Sequence, residues 1–376
     1  MRVALIHYWL VNWRGGEKVL RAIADLFPDA DIFTHVVDPA LVAQRFPNRN
    51  VSTTFVARLP YARRFYQRYL PLMPLALEQL DLRRYDLVIS SESGPAKGVI
   101  VAPHATHICY CHSPMRYVWD MYHDYREQSR GVTRALMSPM LHYMRLWDQA
   151  SAQRVDRYVA NSHFVAQRID KYYRRTADVI HPPVAVDTFD ASRPAEDFYL
   201  SVGQLVQYKR IGLLVQAFNK LNRPLVIIGD GEMLPSLRRM AKPNVQFLGR
   251  QPSEVIRDYY ARCKALVFPG IEDFGMVPVE AMASGRPVIA FGQGGVRESV
   301  IDGYTGVFFH EQTPLALADA VLRFESAADE FDPQVIRAHA RQFSEQAFKE
   351  RFRSFIANIT IPARQEPVVL RPRKVG

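Results

Sequence analysis

The sequence predicts an α/β protein of two Rossmann-like, doubly wound domains facing each other across a cleft. Three observations carry that expectation. Short apolar runs alternate with amphipathic helical segments along almost all of the 376 residues, the order that builds parallel sheets covered by helices. The length exceeds one ordinary domain and suits two. A proline-containing stretch at residues 181–194 breaks the pattern, and a fresh strand–helix series begins at Phe198.

The first series opens with residues 3–10, an apolar run that suits a first strand and lacks the long apolar core of a signal peptide. A glycine pair then leads into helical periodicity over 16–27, and strands follow at 31–37, 87–91, 107–113 and 157–160. A helix over 164–173 ends this half. The second series places strands at 199–202, 225–228, 245–248, 265–268, 287–290 and 306–309. Helices over 211–219, 253–261, 277–283 and 314–324 lie between them. Residues 332–359 are expected to form one or two closing helices. The expected domains are therefore 1–190 and 191–344, with 345–359 packing back on the first and a basic, proline-containing tail over 360–376.

Hydrophobic residues make up 48% of the chain, which supports a substantial core and excludes global disorder. No run approaches the roughly 18 apolar residues of a spanning helix. Three cysteines, Cys109, Cys111 and Cys263, suit a reducing compartment better than a disulfide scaffold, so a cytoplasmic protein is expected. The net charge of +10 favours an anionic partner. Residues 58–70, RLPYARRFYQRYL, carry four arginines, four aromatics and no acid. Such a segment suits an anionic membrane surface; a solvated helix whose aromatics face its own core is the alternative.

The chemistry concentrates in residues 269–290, PGIEDFGMVPVEAMASGRPVIA, where Glu272 lies in a loop and Glu280 in the helix after it. The backbone N–H groups at that helix start, near Phe274, Gly275 and Met276, make a ready anion site. A loop carboxylate, an anion site and a helix carboxylate in one line suit a sugar nucleotide: hydroxyls of the sugar and the ribose on the glutamates, the diphosphate on the amides. Lys209 and Arg210 come after the strand at 199–202 and could clamp a diphosphate leaving group. Gly249 ends another strand, where a base edge could meet backbone. In the first half, Gly15 and Gly16 at a helix start let a ligand approach the backbone closely, although a plain glycine turn reads the same way. His112 falls at a strand end, placed to donate to sugar hydroxyls or to steady charge at a reacting centre. The Cys109, Cys111 and His112 spacing has no second half elsewhere, so no metal site is read from it.

These strings resemble the retaining glycosyltransferases of family 4, which have the GT-B fold. In the second half the resemblance runs through SVGQLVQYKR, IIGDGE, FLGR, EDFGMVPVEAMASGRPVIA and GGVRESV. In the first it runs through GGEKVL, YCHSPMRYVWD and VANS, so nearly the whole chain is covered. It is similar above all to bacterial surface-polysaccharide mannosyltransferases. The resemblance implies that Glu272 takes the donor sugar hydroxyls, Glu280 the ribose, Lys209 the diphosphate and His112 the sugar near the reacting bond. It gives Gly15 and Gly16 to a phosphate loop. Gln204 departs from the pattern, since the family usually has arginine there. The implied activity is transfer of a hexose, mannose from GDP-mannose first among donors, to a lipid-linked oligosaccharide of O-antigen, capsule or exopolysaccharide. UDP-sugars and GDP-fucose are alternative donors. No metal and no other cofactor is expected, the cations taking a metal's place, and a peripheral position on the inner face of the cell membrane is implied. Rival readings are a nucleotide-sugar epimerase of the same fold, a dinucleotide oxidoreductase, which wants a G-x-G-x-x-G that is missing here, and a basic nucleic-acid or membrane module. The last leaves the glutamates unexplained, and no nucleic-acid partner is expected.

Overall fold

A computed structural model describes residues 1–128 and 131–359. The chain divides into two compact units: Met1–Val159 with Tyr172–Ala177 and residues 353–359, and Ala160–Lys171 with Asp178–Phe352. Each half carries one sheet.

The first sheet has seven strands: β1 (Val3–His7), β2 (Asp31–Thr34), β3 (Val51–Thr53), β4 (Leu87–Glu92), β5 (Thr106–Cys111), β6 (Arg157–Ala160) and β7 (Ala177–Val179). Their order is β3-β2-β1-β4-β5-β6-β7. The second has six: β8 (Tyr199–Val202), β9 (Leu225–Ile228), β10 (Val245–Gly249), β11 (Leu266–Phe268), β12 (Val288–Phe291) and β13 (Gly306–Phe309), in the order β10-β9-β8-β11-β12-β13. The pairings run parallel, for example Leu5 opposite Ile32 and Ile89, and Leu200 opposite Val226 and Leu266. Parallel strands need helical crossovers that cover both faces. Every residue of β1, β4, β5, β9 and β12 is accordingly buried.

Both strand orders reverse direction once, between β1 and β4 and between β8 and β11. At such a reversal the two connections leave toward opposite faces, and a crevice opens at the carboxyl ends of the strands. In the second unit the core around Leu200, Val215, Phe218, Val267 and Ile289 holds β8 and β11 side by side, so their ends are fixed relative to each other.

The expected doubly wound α/β architecture is present. Some element limits differ. The strand expected over 3–10 ends at His7, because the chain turns away, and only an isolated bridge from Leu10 to Val37 continues the pairing. β3 and β7 are three-residue edge strands outside the expected set. Helix Gly131–Ala152 holds Pro139 within its length and was likewise not expected. Helices Pro333–Ala340 and Glu345–Ala357 occupy the closing region, and the expected basic tail lies outside the described residues. Among the described residues no helix is long and apolar enough to cross a membrane.

At the end of β4 a charged triad is buried without exposure. The Lys97 ammonium lies 2.8 Å from Glu92 and also pairs with Asp148. Asp148 further accepts from Trp119 Nε1 (2.7 Å) and from the Tyr173 hydroxyl (2.9 Å). The triad ties the loop after β4 to helix Gly131–Ala152. Lys97→Met would leave two buried carboxylates unpaired and is expected to lower stability by about 3–5 kcal/mol. Urea unfolding of the variant measures it, and a loss below about 1 kcal/mol would contradict the account.

Candidate functional site

In the second unit the crevice is built from the loops that leave β8 and β11. After β8 the chain passes Gly203 and Gln204 and makes a short 3₁₀ turn, Gln207–Lys209, before helix Ile211–Leu221. After β11 it passes Gly270 and Glu272 and enters helix Met276–Ala283. The two loops meet at one ion pair: Lys209 Nζ lies 3.0 Å from Glu272 Oε1, each side chain about one-fifth exposed. The ammonium is close but not aligned for a hydrogen bond, and among the described residues Oε1 has no hydrogen-bond donor. An oriented, mostly enclosed carboxylate with unused acceptor capacity suits a hydroxyl ligand.

Glycines make the approach possible. A Cβ on Gly270 would sit 3.0 Å from Lys209 Cα, and one on Gly203 would sit 3.1 Å from its Nζ. Gly275 holds the left-handed φ of +87° that turns the loop into the helix. Among the described residues no acceptor faces the backbone N–H groups of Phe274, Gly275 and Met276, so they offer an anion site next to the carboxylate. Phe274 can contribute only through its backbone, since its ring is buried against His181 and Phe343. Glu280, half-buried one turn further on, accepts from the Tyr260 hydroxyl at 3.2 Å. Gln204 and Arg210 are both exposed, and Arg210 takes a left-handed φ of +56° at the helix entry. Gly249 ends β10 with φ +69° and open space where a side chain would stand.

In the first unit His7, Tyr8, Ser91 and His112 gather at the carboxyl ends of β1, β4 and β5. Gly16 lies directly under Tyr8: a Cβ there would fall 2.3 Å from the Tyr8 hydroxyl and 3.6 Å from His112 Nε2. His112 Nε2 is 2.9 Å from Ser91 Oγ. Burial, with the neighbouring His7 adding to it, pushes the His112 imidazole down to about 3. Its ring is therefore neutral at ordinary pH and acts as a hydrogen-bonding group, without the charge an imidazolium would bring. Glu17, buried in the first turn of helix Gly15–Leu26, accepts from the Arg14 N–H at 2.8 Å and lies 4.0 Å from His7. It takes the Arg14 N–H at the helix start beside the expected phosphate loop, while the space over Gly16 is filled by the Tyr8 hydroxyl.

Lys209, Glu272, Glu280 and His112 stand out in the sequence, but the groups that hold them do not. Tyr260, Ser91 and Arg168 carry no motif of their own; only contacts across long stretches of chain reveal them, and Asp273, though within the 269–290 motif, meets its partner only in the fold. The Asp29–Asp31 run, an Asp-x-Asp, stands at the amino end of β2, away from the carboxyl ends where ligands bind in such sheets. Asp31 is held there by Asn50, Arg84 and Tyr85. Among the described residues no group of three or more His, Cys, Asp or Glu is placed to hold a metal ion.

Comparison with known proteins places each half. Residues 13–188 match the family model for Glycosyltransferase Family 4, and residues 188–350 match that for Glycosyl transferases group 1. An uncharacterized glycosyltransferase of Methanocaldococcus jannaschii is 30% identical over 172 residues, 44% of this chain and 49% of that protein. The D-inositol 3-phosphate glycosyltransferase of Mycolicibacterium smegmatis is 28% identical over 226 residues, 52% of this chain and 51% of that protein. The chain thus spans about half the length of these curated relatives. Among solved structures, sucrose-phosphate synthase of Thermosynechococcus elongatus superposes with a TM-score of 0.73 at 20% identity, covering 95% of this chain and 98% of that one. Anabaena HepE in complex with UDP and glucose gives 0.70 at 16% identity, covering 96% and 100%. These likenesses establish the GT-B fold.

Burial also depresses His35 to about 4 and His107 to about 3. All three histidines bind protons less readily folded than unfolded, so between about pH 6.5 and pH 3 the unfolded chain takes up more protons and these groups cost stability as pH falls. Imidazole NMR of the folded protein is expected to show His35, His107 and His112 without titration between about pH 5 and pH 8. A midpoint near about 6.5 for His112 would contradict its neutral role.

Proposed function

The chain belongs to the glycosyltransferases that these two models describe, and on that premise we propose a retaining hexosyltransferase that moves a hexose from a nucleotide-sugar to a hydroxyl of a lipid-linked oligosaccharide. The products would serve O-antigen, capsule or exopolysaccharide synthesis. The observation that carries the reading is the Lys209–Glu272 pair beside the open amides of residues 274–276, at the β8/β11 reversal. One ligand chemistry uses all of them: a diphosphate against cation and amides, with sugar hydroxyls against the carboxylate.

In this reading the donor diphosphate takes up Lys209 and the amides, while Glu272 turns to accept a hydroxyl of the transferred sugar. Glu280, steadied by Tyr260, accepts the ribose hydroxyls. As the bond between the sugar and the phosphate oxygen breaks, negative charge grows on the diphosphate where the ammonium and the helix start already point. Retention places the acceptor oxygen on the face the phosphate leaves, so the departing phosphate oxygen is the nearest base for the acceptor proton. In the first unit, His112 is proposed to donate from a neutral ring to a substrate hydroxyl, with Gly15 and Gly16 at the helix start beside it. Gln204 and Arg210 border the diphosphate, Arg210 supplying a second cation, and Gly249 lies toward the base. The cations act without a metal.

GDP-mannose is the donor supported by the motif resemblance to surface-polysaccharide mannosyltransferases. A UDP-sugar is the second reading, favoured by the UDP in the HepE complex. Lys209→Ala and Glu280→Ala are each expected to lower transfer about 100-fold, the scale of losing one preorganised group. Thermal shift against GDP, UDP and their sugars identifies the base, since a ligand at 100 times its Kd stabilises the fold by about 2.7 kcal/mol. Absence of any nucleotide response, or wild-type turnover in both folded variants, would sink the assignment.

A lipid-linked acceptor suits a protein on the cytoplasmic face of an anionic membrane, and the first unit has a surface that supports this. Arg58, Arg63, Arg64 and Arg68 are all exposed. Tyr61 is 78% exposed and Leu75 50%, and Leu136, Tyr143 and Leu146 are exposed along helix Gly131–Ala152. Leu70 packs under both groups, so they share one region of the unit. Exposed apolar side chains among cations with no acid between them suit an anionic headgroup layer. Replacing Arg63, Arg64 and Arg68 with glutamate is expected to abolish flotation with phosphatidylglycerol vesicles. Equal recovery of wild type on neutral vesicles would remove the electrostatic basis.

A further inference from the structure

We propose that Arg168, acting through Asp273, is a positioning residue for Glu272. The inference rests on the donor role of Glu272 proposed above, and it assigns a task to a helix outside the expected site. Asp273 directly follows Glu272, and its carboxylate does not face Lys209. It is taken by Arg168, whose Nη1 lies 2.7 Å from Oδ1 with the arginine side chain only 9% exposed. The Asp273 carbonyl accepts from the Ser162 hydroxyl at 2.5 Å. Ser162 directly precedes helix His163–Tyr173 and Arg168 lies midway along it, in a segment expected from sequence to belong to the first domain.

The other side of the loop is fixed as firmly. The Gly295 N–H donates to the Glu272 carbonyl at 2.9 Å. Side chains at Gly294 and Gly295 would collide with the Glu272 and Asp273 carbonyls, at 2.7 and 2.2 Å. The helix that carries Arg168 is itself anchored by the same glycine segment. Glu298, three residues beyond Gly295, accepts from the His163 and Phe164 N–H groups at 2.8 and 3.0 Å and lies 3.0 Å from His181 Nε2. These bonds hold the Glu298 carboxyl below its usual range despite its burial. Helix start, glycine turn and glutamate loop thus form one closed set of contacts, all within the second unit. Neutralising Asp273 in this way leaves Glu272 as the loop carboxylate facing Lys209, and holds its Cα where the side chain reaches the ammonium.

Loss of Arg168 would take its guanidinium from the Asp273 carboxylate and slacken the loop at the residue next to Glu272. Displacing a substrate-contacting group by about 1 Å can cost about a hundredfold in rate. For Arg168→Met we expect kcat to fall about ten- to a hundredfold while the Kd for GDP or UDP, which lack the sugar, changes by less than about threefold. Arg168→Lys should restore part of the rate. Combined with Glu272→Gln, the arginine substitution should add no further loss, because both act at one carboxylate. A readout apart from turnover tracks the Lys209 ammonium by NMR of reductively methylated protein: its resonance in Arg168→Met should move toward its position in Glu272→Gln. An unmoved Lys209 resonance, or additive losses, or a lowered melting temperature with wild-type kcat, would each overturn the inference. Should Glu272→Gln itself retain wild-type turnover, the donor reading fails, and the Lys209 resonance still decides whether Arg168 positions Glu272.

Discussion

Parallel strands cannot be joined by tight turns, and that constraint organises everything else in this molecule. Each strand must be followed by a crossover that returns over one face, so all strands of a sheet point their carboxyl ends the same way. In the order β10-β9-β8-β11-β12-β13 the winding starts at β8, runs outward to one edge, then restarts at β11 and runs to the other. The loops leaving β8 and β11 are therefore adjacent in space although more than sixty residues apart in the chain. Nothing about lysine or glutamate brings Lys209 to Glu272. The reversal of winding does, and the side chains exploit a meeting that topology imposes.

That meeting needs room, which explains the glycines better than flexibility does. A Cβ on Gly203 or Gly270 would crowd the Lys209 ammonium or backbone, and one on Gly294 or Gly295 would collide with the carbonyls of the glutamate loop. A further case is Gly229, where a Cβ would fall 1.8 Å from the Gly203 carbonyl. Close backbone packing at the ends of neighbouring strands draws the loops together, and the polar groups they carry converge with little side-chain freedom left to lose. In the first unit the same logic appears with different chemistry: Gly16 admits the Tyr8 hydroxyl, and the enclosed His112 is kept neutral and tied to Ser91.

How far the sequence could be read depends on these causes. Central strands such as β9 and β12 are short, wholly apolar and bounded by turn residues, so periodicity located them to within a residue. Edge strands β3 and β7 carry few buried residues and too little pattern to stand out. Helix Gly131–Ala152 is apolar on several sides, with Leu141 and Met144 inward and Leu136, Tyr143 and Leu146 outward, and it carries a proline, a residue that disfavours helix interiors. In the site, Glu272, Glu280 and Lys209 were legible because glycines frame them and their types suit one ligand. Arg168 and Tyr260 were not, because each is an ordinary helix residue until the fold brings it against a partner 105 or 20 positions away, and Ser162, though within the quoted VANS string, meets Asp273 only in the fold.

Gln204 takes its meaning from the electrostatics around it. In the proposed reading, with an exposed glutamine at 204, the diphosphate would rest on Lys209, the amides of residues 274–276 and whatever Arg210 adds from its exposed position. A charge-assisted hydrogen bond contributes about 1.5–3 kcal/mol, so an uncharged donor at 204 weakens the hold on phosphate unless the others bear more. Lys209 is half committed to Glu272 before any ligand arrives. A donor that brings both a diphosphate and a sugar hydroxyl satisfies both members of that pair at once. A nucleotide without the sugar, or a free sugar, satisfies one and strands the other. On that proposal, fewer cations on the phosphate would shift discrimination toward the intact sugar nucleotide, because the binding that remains is shared across the bond that the proposed reaction breaks.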